Sequence, residues 1–284
     1  MHDAAFAALG IDASYTALDV TPDALGSVVA GFRSAPEFVG ANVTVPHKSA
    51  VMRWLDEVDE TASAIGAVNT IVRLGGTDGR LVGRNTDADG FVAALNDVVP
   101  VSKLRSAMLL GAGGSARAVA WALVTRGVDV AIVNRSRDRA ATLVAEVGAA
   151  LAASGATALA VPGGRWPGRL SVCEPDEAGA LVAECDLLVN ATSVGMLGGP
   201  APEASPSPAP LRSLPPGAVV CDLVYRPALT PLLRAAAARG HATQNGLPML
   251  LWQGALAFEA WTGRPAPAAV MREALERGLA GSPA

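Results

Sequence analysis

Apolar residues in this chain fall in short blocks, and the pattern of the blocks changes twice along its length. Between about residues 87 and 245 they alternate as strand and helix. Residues 107–110, 129–133, 186–190 and 219–223 are nearly unbroken apolar runs separated by stretches long enough for helices. Strands buried on both faces read this way, so the pattern predicts a parallel sheet with helices on either side. Two stretches interrupt the rhythm, residues 163–175 and the Pro/Ala/Ser run 199–210. Both are expected to be exposed loops, the second too rich in proline for regular structure.

The earlier part of the chain mixes both periods. Residues 15–20 predict a strand, 23–33 a helix entered through Thr21-Pro22, 39–45 a strand and 47–55 a helix. After a second short helix, residues 67–74 and 81–84 flank Gly75-Gly76-Thr77-Asp78-Gly79, a hairpin by its turn residues. Residues 247–279 are helical, with a break at Thr262-Gly263-Arg264-Pro265. No repeat is present.

Composition narrows the class. With 51% hydrophobic and 17% charged residues among 284, the chain has ample material for a core. A net charge of −4 gives no nucleic-acid footprint. No apolar stretch reaches the roughly 18 residues of a membrane span, and the N-terminus lacks the basic start of a signal peptide. Cys173, Cys185 and Cys221 have no CxxC spacing, so buried thiols in a reducing cytoplasm are expected. His2, His47 and His241 share no ligand pattern with them, so no metal is expected. The expected partner is a small-molecule substrate, with no nucleic acid and no membrane. One sequence does not fix oligomeric state; a homodimer is compatible with it.

The first chemical signal follows the apolar run Ala107-Met108-Leu109-Leu110. It meets Gly111-Ala112-Gly113-Gly114-Ser115-Ala116, with Gly111, Gly113 and Ala116 in the GxGxxG/A spacing. Gly111 permits a tight turn, Gly113 lets a pyrophosphate approach the backbone, and Ala116 lets the helix pack on the strand. The freed N–H groups and helix dipole then face the phosphates. The next strand ends at Asn134, where a site for the unphosphorylated dinucleotide would carry an acid. Here the run is Asn134-Arg135-Ser136-Arg137-Asp138-Arg139. Guanidinium pairs with phosphate in a planar fork, so NADP is favoured. Arg135 and Arg139, one helical turn apart, are the expected 2′-phosphate ligands. The alternative is a solvated helix start with Ser136 as its cap.

Other polar groups sit at the ends of apolar runs: Asn42-Val43-Thr44-Val45-Pro46-His47-Lys48, Ala67-Val68-Asn69-Thr70, Asn85-Thr86-Asp87, and Asn245-Gly246-Leu247 leading to Gln253-Gly254. Singly, each has an ordinary explanation. Lys48 reads as an exposed helix lysine and Asp87 as a helix N-cap. Together with Leu55-Asp56-Glu57-Val58-Asp59, Asn190-Ala191-Thr192-Ser193, Asp222-Leu223-Val224-Tyr225 and Thr230-Pro231-Leu232-Leu233, they occur in an order that closely resembles the shikimate dehydrogenase family. The resemblance runs over nearly the whole chain.

The resemblance implies an α/β protein of two domains. Residues 1–86, completed by the helices of 247–284, would hold the substrate, and 87–246 would be a Rossmann-like NADP domain, with the site in the cleft. It implies reversible reduction of 3-dehydroshikimate to shikimate with NADPH. Lys48 and Asp87 match the family's catalytic pair, with Lys48 exchanging the proton of the reacting oxygen. Thr44, Asn69, Tyr225 and Gln253 match substrate-contacting positions. Gly246 and Met249 match the nicotinamide side, and Thr192 and Ser193 lie near the cofactor. Close alternatives are a quinate, quinate/shikimate or aminoshikimate dehydrogenase; a distant one is a non-catalytic binding or regulatory protein of the same fold.

Two departures stand out. Ala88 occupies a position where the family usually has glycine. Family members also carry a strand and a Ser-x-Ser turn ahead of the segment that begins here at Met1-His2-Asp3, and those serines hold the substrate carboxylate. The expectation is a longer native chain, with the 284 residues alone binding substrate poorly on a weakened first sheet.

Overall fold

A computed structural model describes residues 1–75, 79–154, 168–174 and 176–280. The chain divides into two compact units, Met1–Gly90 with Leu251–Ala284, and Phe91–Leu250.

The first unit opens with helices α1 (His2–Ala8) and α2 (Leu25–Ser34). Strands β1 (Gly40–Asn42) and β2 (Glu57–Val58), helix α3 (Glu60–Ile65), and strands β3 (Thr70–Leu74) and β4 (Arg80–Arg84) follow. The sheet order is β1-β3-β4-β2, with β3 antiparallel to both β1 and β4 and β2 parallel to β4. The expected hairpin is therefore formed; residues 76–78 of its turn lie outside the described residues. α3 starts where the Asp59 carboxylate accepts the Ala62 N–H at 2.7 Å and stops at the left-handed Gly66. Leu25, Val29, Val51, Ile71 and Leu81 fill the core.

Three segments of this unit differ from the local pattern. Residues 15–20 form no strand: Leu18 is 61% exposed, and the segment joins no ladder. Alternation alone does not make a strand when no neighbour supplies the backbone partners. The strand expected over 39–45 is only Gly40–Asn42, because its pairing with β3 ends at Thr70. The helix expected over 47–55 is a turn followed by a 3-10 helix, Ala50–Trp54. There the His47 carbonyl still accepts from Val51 N at 2.9 Å, but the Lys48 carbonyl turns to Val68 N at 2.7 Å, so a tertiary partner takes the place of the next helical bond.

Helix α4 (Asp87–Asn96) leads into the second unit. There β5 (Ser106–Leu110), α5 (Gly114–Val124), β6 (Asp129–Val133), α6 (Arg137–Ala153), β7 (Leu170–Val172), α7 (Ala178–Val182), β8 (Leu187–Asn190), β9 (Val219–Asp222), α8 (Pro231–Ala237) and β10 (Ala242–Gln244) alternate. The sheet order is β10-β9-β8-β5-β6-β7, and every pairing is parallel. This is the doubly wound arrangement whose strand order reverses at β5. Every residue of β8 and β9 is buried, which is why those runs carry no polar alternation.

Residues 170–172, expected within a loop, form the edge strand β7 instead, because β6 offers a free ladder to the apolar Leu170 and Val172. Residues 163–167 and 175 of that stretch lie outside the described residues. The polar edge strand β10 has no counterpart among the expected elements. Residues 199–210 contain neither helix nor strand, as expected. The chain ends in α9 (Leu247–Thr262) and α10 (Ala268–Ala280), broken at the expected place. In the first unit Phe6 of α1 packs with Leu251, Phe258 and Met271. No helix among the described residues is long and apolar enough to cross a membrane.

All three cysteines are free and buried. Burial pushes the Cys185 and Cys221 thiols up to about 12, so both stay protonated at pH 8 in the folded state. Titration with a thiol-reactive disulfide at pH 8 is expected to leave both unmodified until denaturant is added. Rapid labelling of either in native buffer would contradict their placement.

Candidate active site

In the first unit, segments distant in sequence converge on Asn69, at the start of β3. Its amide Nδ2 donates to Asp87 Oδ1 at 2.8 Å and to Thr86 Oγ1 at 2.9 Å, with Gln253 Oε1 at 3.3 Å. Its Oδ1 accepts from Thr86 N at 2.7 Å and from the Thr70 hydroxyl at 3.0 Å. An NH2 group has two protons for these three acceptors, so the longest contact, to Gln253, is a shared one.

Asp87 stands at the start of α4, and the N-cap expectation for it is overturned. The Asn85 side chain does the capping, its Oδ1 accepting from Asp87 N at 3.0 Å and Ala88 N at 3.3 Å, while its own amide is anchored on the Ala67 carbonyl at 2.8 Å. With the cap supplied two residues earlier, the Asp87 carboxylate is free to turn to side chains. Its Oδ2 accepts from Lys48 Nζ at 2.6 Å. Both side chains are close to buried, at 11% and 6% exposure, so this is no solvated surface pair. The exposed-lysine alternative fails for the same reason, and Lys48 is in a turn rather than a helix.

Thr44 lies on the turn that leads into Lys48, with its carbonyl accepting from His47 N at 2.8 Å and its side chain exposed. Gln253 reaches the cluster because α4 and α9 approach closely at Gly90. A Cβ there would lie 2.6 Å from Gln253 N, so only glycine fits. The cluster thus collects Lys48, Asp87, Asn69 and Gln253, together with Thr70 and Thr86, which the sequence showed only as neighbours of candidates. Their signal was a polar pair opening one apolar strand and another just past the end of the next.

The second unit carries the dinucleotide signature. Gly111 follows β5 with φ +111°, and a Cβ there would meet the Ala191 carbonyl and Thr192 Cγ2, both at 3.1 Å. Gly113 is the N-cap of α5, with no side-chain cap bond and nothing within 4 Å of where a Cβ would stand. Ala112, Gly114 and Ser115 complete the turn into α5, and Ala116 is fully buried where helix meets sheet. A glycine cradle, open space and an uncapped eleven-residue helix fit a pyrophosphate. Thr192 stands beside that turn, and Ser193 next to it is exposed.

At the end of β6, Asn134 Nδ2 donates to the Ser136 carbonyl at 2.8 Å, and Ser136 caps α6 by accepting from Arg139 N. Ser136 therefore is a cap, but this leaves the arginine side chains uncommitted to it. Arg135 and Arg139 are exposed, whereas Arg137 pairs with Glu174 at 2.7 Å. Tyr225 is 39% exposed just after β9. Gly246 N donates to the Val224 carbonyl at 3.1 Å, and Met249 is buried in the first turn of α9. Among the described residues no cluster of three or more His, Cys, Asp or Glu suits a metal ion.

Comparison with known proteins gives consistent matches. Residues 1–71 match the shikimate dehydrogenase substrate binding domain, 94–159 the shikimate/quinate 5-dehydrogenase family and 246–276 the shikimate 5′-dehydrogenase C-terminal domain. Shikimate dehydrogenase (NADP(+)) of Symbiobacterium thermophilum is 46% identical over 100% of this chain and 90% of its own. Shikimate 5-dehydrogenase of Thermus thermophilus, solved with NADP(H) and shikimate, is 40% identical with a TM-score of 0.80, covering 97% of this chain and 92% of its own. Quinate dehydrogenase of Corynebacterium glutamicum, solved with NAD, has a TM-score of 0.82 at 31% identity, covering 97% and 92%.

Proposed function

The chain belongs to the shikimate dehydrogenase family, and on that premise we propose that it interconverts 3-dehydroshikimate and shikimate with NADP, using Lys48 and Asp87 for the proton. The observation that carries the reading is the buried Lys48–Asp87 contact of 2.6 Å, held in place by Asn69.

The cofactor, when bound, would supply the hydride chemistry at the ring carbon, as NADPH for reduction of the ketone and as NADP+ for oxidation of the alcohol. The remaining work is a proton transfer at the oxygen on that carbon, and Lys48 performs it. Its ammonium gives the proton as the ketone is reduced, and its amine takes one as the alcohol is oxidised. Asp87 holds the Lys48 nitrogen in one position throughout, which lowers the rearrangement needed at the moment of reaction. Asn69, Gln253 and Thr44 would read the substrate's hydroxyls, and Tyr225 is a further substrate-contacting residue by its match to the family. Short, fixed polar groups discriminate well here, because an analogue lacking a hydroxyl leaves them unpaired.

Residues 1–86 with 247–284 are assigned to the substrate and 87–246 to the nucleotide. Gly111 to Ala116 would cradle the pyrophosphate, with Asn134, Arg135, Ser136 and Arg139 at the adenosine ribose. Thr192, Ser193, Gly246 and Met249 would line the nicotinamide side. A cytoplasmic location suits three buried free thiols. A homodimer is the assembly that sedimentation would test.

The deciding assay measures reduced cofactor formed with shikimate and with quinate, each against NADP and NAD. Shikimate with NADP is expected to give the highest kcat/KM; faster turnover of quinate would move the chain to the quinate enzymes. The arginines give a second test. Arg135→Ala with Arg139→Ala is expected to raise the KM for NADP about tenfold and to change that for NAD little, since charge-assisted bonds to phosphate are lost. Equal effects on both cofactors would remove the 2′-phosphate assignment.

A further inference from the structure

A second buried carboxylate takes no part in the chemistry above. Asp222 ends β9 at 1% exposure, paired in register with Asn190 at the end of β8. Its Oδ1 accepts from Asn190 Nδ2 at 2.8 Å and from Val224 N at 3.0 Å, and its Oδ2 accepts from the Thr230 hydroxyl at 2.7 Å. Asn190 passes the restraint on: its Oδ1 accepts from Thr192 N at 2.9 Å and from Thr192 Oγ1 at 2.7 Å, while its Nδ2 also bonds the Val194 carbonyl. Thr192 in turn stands against Gly111 of the nucleotide turn. On the other side, Val224 receives the Gly246 N–H, and Tyr225 is the next residue.

We propose that Asp222 is a positioning residue, which through Asn190 fixes the loop 190–194 and through its own turn fixes 222–225, so that Thr192 and Tyr225 present constant geometry to cofactor and substrate. The inference rests on the proposed function, where those two residues face the ligands. Asp222 is poorly suited to simple packing. A carboxylate at this depth is unfavourable, and burial pushes its pKa up against the three bonds that lower it. An apolar side chain would pack without that cost. The bonds also tie Asp222's own turn to two other segments, the end of β8 and the start of α8, at the edge where a doubly wound sheet binds its ligand.

The test compares Asp222→Ala and Asp222→Asn with the parent in three measurements. They are NADPH affinity by fluorescence titration without substrate, kcat and KM for shikimate, and folded fraction by circular dichroism. Asp222→Ala is expected to weaken NADPH and to lower kcat, each about tenfold, in protein that remains folded, since charge-assisted bonds are lost. Asp222→Asn should recover most of both, because its oxygen can still serve Asn190 and Val224 while its NH2 faces the Thr230 hydroxyl. In a Tyr225→Phe background the kcat loss from Asp222→Ala should shrink, the sign of a shared path. A folded Asp222→Ala with parental affinity and kcat, or a loss fully additive with Tyr225→Phe and with Thr192→Ala, would overturn the proposal. If Asp222→Ala does not fold, Thr230→Val carries the same test, and parental values there overturn it as well. A parent chain that binds NADPH but does not turn over shikimate would count against the proposed function, while the titrations would still judge Asp222.

Discussion

Lys48→Ala is expected to lower kcat for shikimate oxidation by ~10² to 10⁴, the range that a positioned acid or base contributes. NADPH affinity should stay within about threefold of the parent, because the glycine turn and arginine run belong to the other compact unit. Lys48 is the one lysine in a cluster that otherwise offers amides, hydroxyls and a carboxylate already engaged by Asn69. Water can replace a missing binding group, but not a donor held at a fixed point. Because removal of the ammonium leaves Asp87 buried with Asn69 as its remaining side-chain partner, folding must be followed alongside rate. A folded Lys48→Ala whose kcat stays within a factor of a few of the parent would take the proton-transfer role from this residue.

Asn69→Ala is expected to cost about 2 to 4 kcal/mol of stability, through polar groups left without partners rather than through lost packing. Thr86 N, Asp87 Oδ1 and the Thr70 hydroxyl all meet this one side chain, and Asn69 is 2% exposed, so water reaches the gap poorly. Each orphaned buried group costs roughly 1 to 3 kcal/mol, and Thr70 and Thr86 recover part of it by bonding each other at 3.1 Å. Denaturant unfolding would show the midpoint falling with little change in slope. A loss below about 0.5 kcal/mol, within the range of an ordinary surface substitution, would mean that the cluster does not depend on its centre. The same variant should also lose activity in its folded fraction, since Asp87 would no longer be oriented on both oxygens.

How much of this is legible in the sequence differs between the units. In the second, the runs of strands 187–190 and 219–222 and the glycine turn stand in the sequence, because a strand buried on both faces is apolar up to its last residue and a φ of +111° beside Ala191 requires glycine. The helix break near Gly263 and the absence of helix and strand in 199–210 are equally local, set by glycine and proline. Edge strands are the blind spot. Residues 170–172 become a strand only because β6 offers its open side, and residues 15–20 fail to become one for want of such a partner.

The site divides the same way. Sequence alone supplied its components, in the form of polar residues closing apolar runs at Lys48, Asn69, Asp87 and Gln253, and the order of the boxes pointed to the family. It did not decide what those components do. Read locally, Asp87 is a helix cap and Lys48 a solvated lysine. Asn85 takes over the cap and frees the carboxylate, the Lys48 carbonyl bonds Val68 N instead of continuing a helix, and the close approach at Gly90 delivers Gln253. Propensity and periodicity act over a few residues and are fixed by the chain itself, whereas hydrogen-bond partners far apart in sequence are chosen only when packing brings them together and removes the water that would otherwise satisfy them.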